Sequence, residues 1–150
     1  MKRATQAVIK NKDVLLSHGL VEARASCLKI IEYALTAVDP YNATYKAVQM
    51  IGEKLIVDER EYDLALIDNI YVIGAGKATF RQALAIDEIL GDRITEGLVV
   101  LKHGQGSPLN HIKILESAHP VPDHHSFSAS REIIKIAEKA RKKDLVICLM

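Results

Sequence analysis

The feature that most constrains the fold is a short apolar run that ends in a glycine-rich turn. The β-branched segment 70–73 stops at Gly74-Ala75-Gly76, and Lys77 then opens a helix-forming segment that continues to Leu90. An apolar run, a break at glycines and a helix-forming segment predict a strand, a tight turn and a helix. Glycine lets a ligand approach the backbone, and the first amides of a helix attract anions. The turn, with the charge of Lys77, therefore predicts a phosphate or carboxylate site.

Neither of the two common phosphate-binding motifs fits this turn. A P-loop requires glycine and a hydroxyl residue at two positions that Tyr71 and Ala78 occupy here. The dinucleotide-binding motif requires a third glycine where Thr79 stands, and an acidic residue after the next strand, which runs instead into Lys102 and His103. Lys102 could face the additional phosphate of NADP. Alternatively, the turn binds no ligand and is only a glycine-rich connection that carries an exposed lysine.

Charge and hydropathy exclude several classes of partner. The chain has 20 Lys and Arg residues against 19 Asp and Glu residues, a net charge of +1, which gives no electrostatic basis for binding nucleic acid or an anionic membrane. No apolar stretch is long enough to span a bilayer, and no signal peptide follows Met1. We therefore expect a cytoplasmic protein, in which Cys27 and Cys148 are buried, reduced thiols.

The N-terminal third of the chain predicts helices. A short surface helix is expected over 4–18, and a longer helix over 20–38 ends before Pro40, because the residue that precedes proline avoids the helical region. A second packed helix is expected with Asn42 as its N-cap. The side chains that predict the packed faces of these two helices are Leu28, Ile31, Leu35, Val38, Tyr45, Val48, Gly52 and Leu55. Residues 1–54 are therefore interpreted as a helical lead-in.

Residues 55–150 predict an α/β core. Strands are expected over 55–57, 70–73, 98–101, 112–115 and 145–149, a charged turn over 58–61, and helices over 77–90 and from Ser126 or Ser128 to Lys143. Strands that alternate with helices predict a Rossmann-like, mostly parallel sheet with helices on both faces. The strand over 112–115 alternates more than the others, so we expect it near an edge of the sheet.

Three polar or glycine-containing loops follow successive strands of this core, over 74–77, 103–106 and 119–123. Ligands of such sheets bind at the carboxyl ends of the strands, so the three loops are expected on one rim. The chain stops at Met150, directly after an apolar strand. That ending predicts a fragment, although a strand can also close a domain.

Four segments, in order along the chain, resemble the type II glycerate 2-kinases, a family long labelled hydroxypyruvate reductase. The segments are ALTAVDP at 34–40, VIGAGKA at 72–78, SAHPVPD at 117–123 and DLVICL at 144–149. The resemblance covers essentially all of this chain and well under half of a full-length member. It implies that the family's Ser-Gly-Gly turn, its acidic catalytic residue and its second domain lie beyond Met150.

The resemblance implies transfer of a phosphoryl group from ATP, with Mg²⁺, to the 2-hydroxyl of D-glycerate. It gives Lys77 an active-site role, as a ligand of the glycerate carboxylate or of the transferring phosphoryl oxygens. The other residues that it places beside substrate or phosphate are Gly74, Ala75, Gly76, His119 and Asp123. The chain would then carry one wall of an active site and be inactive alone, with a downstream polypeptide or a homo-oligomer as partner.

Two rival functions and one rival site remain open. The rival functions are an NAD(P)-dependent hydroxypyruvate reductase and a non-catalytic module that binds an anion or pairs with another chain. Five of the six histidines lie between His103 and His125, but His119, His124 and His125 lack the spacing of a zinc site, so no metal ligand is assigned. His124 and His125 are expected in an exposed loop, and Asp123 has an alternative role as a helix N-cap.

Overall fold

The computed structural model describes residues 8–150. Five α-helices are described: α1 (Lys12–Leu15), α2 (Val21–Ala37), α3 (Pro40–Ala47), α4 (Thr79–Leu90) and α5 (His124–Ala137). Seven strands are described: β1 (Val48–Ile51), β2 (Lys54–Val57), β3 (Arg60–Asp63), β4 (Ile70–Ala75), β5 (Glu96–Lys102), β6 (Ile112–Ser117) and β7 (Leu145–Leu149). Short 3₁₀ helices span Leu64–Leu66 and Gly91–Arg93.

The core is a four-stranded parallel sheet in the order β6-β5-β4-β7. Side chains alternate between its faces, so that Val72 packs with α4 residues such as Ile86, whereas Tyr71 packs with Ala129 and Ile136 of α5. The two helices therefore cover opposite faces of the sheet, and the predicted α/β fold is confirmed. β6 forms one edge, as its alternating sequence predicts.

The order of the strands reverses at β4. From β4 the chain passes through α4 to β5 and β6 on one side, and then returns through α5 to β7 on the other side. The connection that leaves β4 therefore leads to one side of the sheet, while β7 pairs with β4 on the other side. Parallel sheets bind ligands beside such a reversal of strand order, at the carboxyl ends of the strands. The turn that follows β4 occupies this position.

Residues 48–63 differ in part from the sequence prediction: the strand expected over 55–57 is present as the end of β2, but β1 and β3 were not predicted. α3 ends at Ala47, and β1, β2 and β3 form an antiparallel sheet in place of a helix that continues to Leu55. Gly52 has a φ of +60° in the turn between β1 and β2, and Asp58 has a φ of +52° in the next turn. A residue with a positive φ fits the turn of a hairpin and interrupts a helix. The two turns therefore outweigh the apolar spacing of three and four residues, which predicted a helix.

The ends of three predicted elements also change. Asp39, rather than Asn42, caps α3: its carboxylate accepts a hydrogen bond from the Tyr41 amide, and Pro40 occupies the first helical position. The predicted charged turn keeps only its first two residues, because Arg60–Asp63 forms β3. α5 begins at His124 and ends at Ala137, six residues before the predicted end at Lys143.

The apolar stripe predicted on α2 is mostly exposed. Leu28 is buried, whereas Ile31, Leu35 and Val38 are 47%, 49% and 72% exposed. Cys27 on this helix is an exposed free thiol, and so is Cys148. The prediction that both cysteines are buried was therefore wrong: Cys148 lies on β7, an edge strand of the described sheet.

The N-terminal predictions are covered only in part. The helix predicted over 4–18 reduces to α1 within residues 8–18, and residues 4–7 and the segment after Met1 lie outside the described residues. Within 8–150, none of the helices combines the length and the apolar character that crossing a membrane requires. The division into a lead-in over 1–54 and a core over 55–150 stays a prediction.

Candidate functional site

A cleft of about 410 Å³ opens at the carboxyl edge of the parallel sheet. Its polar lining comes from the turn after β4 and from the connections that follow β5 and β6, as the sequence predicts. The residues that line it are Ala75, Gly76, Lys77, Val100, Leu101, Lys102, Gln105, Ser117, Ala118 and His119. The structure therefore brings Lys77 and His119 to one rim, although 42 positions of sequence separate them.

Lys77 is an exposed side chain on the wall of this cleft. Within residues 8–150 it makes no hydrogen bond and no ion pair. Lys102 lines the same cleft and is also exposed. Two ammonium groups without a described acidic partner thus border one cavity, and such an arrangement attracts anions.

The N-terminus of α4 adds donors beside Lys77. Its N-cap is Ala78, which has no side chain that could accept a hydrogen bond, whereas Asp39 caps α3 and Asp123 caps α5. The first amides of a helix have no partner within the helix and lie at the positive end of its dipole. The start of α4 is therefore suited to bind an anion.

Thr79 occupies the position at which a dinucleotide-binding turn has its third glycine. The residue is fully buried, and among the described residues its Oγ1 has no hydrogen-bond partner. In the dinucleotide-binding motif, the third glycine allows the helix to pack closely on the strand. Here the methyl and hydroxyl groups of Thr79 fill that space.

The two glycines of the turn have different structural roles. Gly76 has a φ of +139°, a conformation that only glycine adopts readily. Gly74 lies in β4, and a Cβ there would come within 2.5 Å of the Leu149 carbonyl oxygen and 3.1 Å of Thr79 Cγ2. Gly76 thus shapes the turn that carries Lys77, whereas Gly74 permits β4 to pack against β7 and α4. The predicted contact of Gly74 with ligand stays a prediction.

His119 and Asp123 differ in their position relative to the cleft. His119 is exposed and lines the cleft, but Asp123 is absent from its lining. The Asp123 carboxylate accepts hydrogen bonds from the amide and hydroxyl of Ser126, so the alternative prediction of an N-cap is confirmed. A hydrogen bond with His125 Nδ1, 3.1 Å away, contributes most to holding the pKa of Asp123 well below its usual range.

Sequence reasoning missed part of this rim. Lys102, the last residue of β5, was interpreted only as a partner for NADP, and Gln105 was placed on the rim only as part of the loop over 103–106, without a role of its own. The rule that ligands bind at strand ends could have identified both as cleft residues. His124 and His125 were expected in a loop, but they are the first two residues of α5. This placement brings His125 within reach of His103, whose ring centre lies 5.6 Å away.

A larger groove, of about 610 Å³, runs along β7. α3, β1, β2, α4 and the open edge of β7 line it, and no charged side chain of residues 8–150 takes part. Its walls are mostly apolar, with Thr44, Tyr62 and Gln82 among the few polar side chains. This groove suits apolar packing, whereas the smaller cleft beside Lys77 has the charge that anion chemistry requires.

Comparisons with known proteins give consistent matches. The model of a family described as "Domain of unknown function (DUF4147)" matches residues 26–150. A protein of Pyrococcus horikoshii named glycerate 2-kinase is 35% identical over 130 residues, which are 87% of this chain and 29% of that protein. A protein of Agrobacterium vitis that is named as a hydroxypyruvate reductase is 42% identical over 79 residues, which are 53% of this chain and 20% of that protein.

Two solved structures share the fold. A crystal structure of a protein from Pyrococcus horikoshii has a TM-score of 0.73 and 36% identity, and the match covers 84% of this chain and 28% of that one. The crystal structure of a glycerate kinase from Thermotoga maritima has a TM-score of 0.63 and 26% identity, over 83% of this chain and 27% of that one. The chain thus spans less than a third of these proteins.

Proposed function

This chain belongs to the DUF4147 family, and, because it is also similar to a protein named glycerate 2-kinase, we propose that it forms one wall of the active site of a glycerate kinase. The reaction would move the terminal phosphoryl group of ATP to the 2-hydroxyl of D-glycerate. Because the chain spans 29% of the Pyrococcus horikoshii relative, the activity proposed is that of the whole enzyme.

One observation carries the proposal: an exposed lysine without a described partner lies beside an uncapped helix N-terminus on the wall of a cleft. Lys77 supplies a full positive charge, and the first amides of α4 supply aligned donors. D-Glycerate and ATP both present anionic oxygens that fit this pair. Lys77 would hold either the glycerate carboxylate or the transferring phosphoryl oxygens.

The chemistry explains why such donors suit a kinase. As the phosphoryl group moves, its bond to ADP breaks, the 2-hydroxyl oxygen bonds to phosphorus and gives up its proton to water or a base, and negative charge spreads over the oxygens of the group. Fixed donors aimed at these oxygens stabilise the transition state, and loss of one such donor costs about 100-fold to 1,000-fold in rate. His119, on the facing loop, is placed to contact the substrate or to shape the cleft.

The described cleft fits the anions better than it fits Mg²⁺, which the family resemblance implies. Magnesium is bound by carboxylates, phosphates and water. No carboxylate of residues 8–150 lines the cleft, and Asp123 turns its oxygens toward α5 and His125 instead. We therefore derive no step through a metal ion held by the cleft residues.

The hydroxypyruvate reductase is the second candidate, because a relative 42% identical over 79 residues bears that name. The dinucleotide-binding motif has a third glycine for both nicotinamide cofactors and, for NAD, a ribose-binding acid. Buried Thr79 and exposed Lys102 occupy those two positions here. The site geometry therefore favours the kinase.

The apolar groove along β7 supports a role for additional polypeptide. An open strand edge and an apolar groove both favour pairing with a further segment. A partner in the complete enzyme, either further sequence of the same kinase or a second copy, would cover this side and leave the cleft beside Lys77 accessible.

A hybrid enzyme tests the proposal. In it, this chain replaces the matching part of the Pyrococcus horikoshii relative, and the hybrid is incubated with D-glycerate, ATP and Mg²⁺ and, separately, with hydroxypyruvate and NADH. We expect phosphoglycerate in the first assay and no loss of NADH in the second. NADH consumption without phosphoglycerate would support the reductase instead.

The chain itself is examined in parallel by NMR titration with D-glycerate and with ATP. The proposal predicts that the amide resonances of Gly76 and Lys77 shift with at least one of the two, while the remote residue Lys142 does not respond. Shifts in this turn combined with a folded but silent hybrid would support the non-catalytic anion-binding module.

A further inference from the structure

Two imidazoles and a carboxylate meet outside the anion cleft. His103 follows β5, Asp123 caps α5, and His125 lies in the first turn of α5. His125 Nδ1 lies 3.1 Å, and His103 Nε2 lies 3.8 Å, from the same atom, Asp123 Oδ2. The three donor atoms all lie within 4.8 Å of one another. The connection after β5 and the start of α5 thus bring three possible metal ligands close together.

The neighbours of this cluster fix the direction of its donors. Asp123 Oδ1 accepts hydrogen bonds from the amide of Ser126 at 3.0 Å and from its hydroxyl at 3.1 Å. These bonds occupy one carboxylate oxygen and turn the other, Oδ2, toward the imidazoles. On the far side of the His103 ring, Nδ1 lies 3.6 Å from Glu116 Oε2. A carboxylate behind a histidine is the arrangement that orients metal-binding imidazoles.

We propose that His103, Asp123 and His125 bind a divalent transition metal ion, with Zn²⁺ as the best match. Two imidazoles and one carboxylate are a ligand set for zinc, cobalt and nickel, whereas Mg²⁺ prefers oxygen ligands. Bonds of about 2.0–2.2 Å in a tetrahedron place neighbouring donors roughly 3.3–3.5 Å apart. The separations of 3.1 and 3.8 Å bracket that value.

Charge and exposure agree with this assignment. The carboxylate of Asp123 supplies a negatively charged ligand between the two imidazoles. Glu116 adds a second negative charge behind His103. The side chains of His103 and His125 are 50% and 52% exposed, so an ion can enter from solvent. Three protein ligands leave a fourth position for water.

Metal titration of the untagged chain tests this site. We expect Co²⁺ to bind with a stoichiometry of one and to show visible d–d absorption, and we expect Zn²⁺ to displace it. His103→Gln and His125→Gln should each weaken Co²⁺ binding by about 100-fold or more, beyond the loss that a supporting residue causes. His124→Gln is the matched control, because His124 is adjacent in sequence but absent from the cluster, and it should retain the wild-type affinity.

Two further measurements separate a metal site from a cluster of hydrogen bonds. Glu116→Gln should weaken binding by about 10-fold while the absorption bands remain. Zn²⁺ should raise the thermal unfolding midpoint of the wild-type chain and leave that of His125→Gln unchanged. Asp123 is not substituted, because its loss would also remove the cap of α5.

The proposal is overturned if Co²⁺ binds without stoichiometry, if its affinity survives both His103→Gln and His125→Gln, or if His124→Gln loses as much affinity as His125→Gln. Circular dichroism of each variant establishes that the fold is kept, as the exposure of these side chains leads us to expect.

Discussion

Gly74 has no room for a side chain because Leu149 lies against it. The two residues are register partners in the parallel pair β4 and β7, and an ideal Cβ on Gly74 would lie 2.5 Å from the Leu149 carbonyl oxygen and 2.8 Å from its Cβ. A glycine of an apparent ligand-binding turn thus serves the packing of the sheet at the point where the strand order reverses.

Gly74→Ala should destabilise the chain by about 1–3 kcal/mol, because the obstructing carbonyl belongs to a paired strand and cannot move away cheaply. Urea unfolding followed by circular dichroism measures the change. Gly106→Ala is the control, since its Cβ would meet only side-chain atoms of Ile114 and Leu101, at 3.1 Å. An equal or larger loss for Gly106→Ala would contradict the packing role of Gly74.

Lys77→Ala should leave stability unchanged within about 0.5 kcal/mol, because the side chain is exposed and has no partner within residues 8–150. In the hybrid kinase the same change should lower kcat/KM for phosphoglycerate formation by about 100-fold to 1,000-fold. Lys142→Ala is the matched control, since Lys142 is an exposed lysine that precedes β7. It lies near the amino ends of the strands, whereas Lys77 lies at their carboxyl ends. Near-normal turnover of Lys77→Ala would exclude the role proposed for this lysine.

Asp87→Asn should destabilise the chain by about 1–3 kcal/mol. Asp87 on α4 is 4% exposed, and its two carboxylate oxygens accept hydrogen bonds from the amides of Asn110, at 3.1 Å, and His111, at 2.7 Å. Asparagine keeps one acceptor and turns an amino group toward the other N–H, which leaves a buried donor unpaired. Chemical denaturation measures this loss.

The control for Asp87→Asn is Asp92→Asn, which changes an exposed carboxylate that also contacts His111. Its effect should stay within about 0.5 kcal/mol. Similar losses for the two variants would show that the contact with the His111 ring, and not the pair of buried amide hydrogen bonds, holds α4 to the segment before β6.

Asp39→Asn should change the pH dependence of stability. Arg81 donates two hydrogen bonds to the Asp39 carboxylate, at 3.0 and 2.6 Å, and this pairing is the largest cause that lowers the pKa of Asp39. A carboxylate with a lowered pKa adds stability above its unfolded pKa of about 4, and that stability disappears as the pH falls through the folded pKa. Asparagine also caps helices well, so the substitution isolates the ionic contribution.

We therefore expect Asp39→Asn to lose about 0.5–1 kcal/mol at pH 7, a value kept small because the Arg81 side chain is 43% exposed. The difference from wild type should be smaller at pH 3 than at pH 7, because the stabilising contribution is lost progressively as the pH falls below the unfolded pKa and through the folded pKa. Urea unfolding at both pH values measures it. In an Arg81→Met background, the pH-dependent effect of Asp39→Asn should be smaller, and what is left comes from the Tyr41 amide, which also donates to this carboxylate. An undiminished effect would contradict the assignment of the pKa shift chiefly to Arg81.

Local patterns were sufficient for the centre of the molecule. An apolar run, two glycines and a helix-forming segment predicted β4, its turn and α4, and the buried run of β5 predicted a strand covered on both faces. These signals act within a few residues of each other, so a neighbour elsewhere in the fold seldom changes them. Placing Lys77 on a rim with His119 required only the rule for strand ends.

Local spacing predicted the strand over 55–57 but failed for β1 and β3, because a helix that continued to Leu55 also placed apolar residues at plausible intervals. The turns at Gly52 and Asp58 decided the outcome, through their left-handed backbone conformations. The exposure of Cys148 likewise depended on the position of β7 at an edge of the sheet, which strand order determines and the sequence of a single strand does not reveal.

By itself, the sequence determined the order of strands and helices from β4 to β7 and the chemistry of the turn that carries Lys77, since both arise from neighbours along the chain. Only the tertiary structure decided that Gly74 packs against Leu149 and that His103 meets Asp123 and His125. Those relationships depend on distances between residues that are far apart in sequence, and such distances exist only once the sheet has assembled and its helices have packed on both faces.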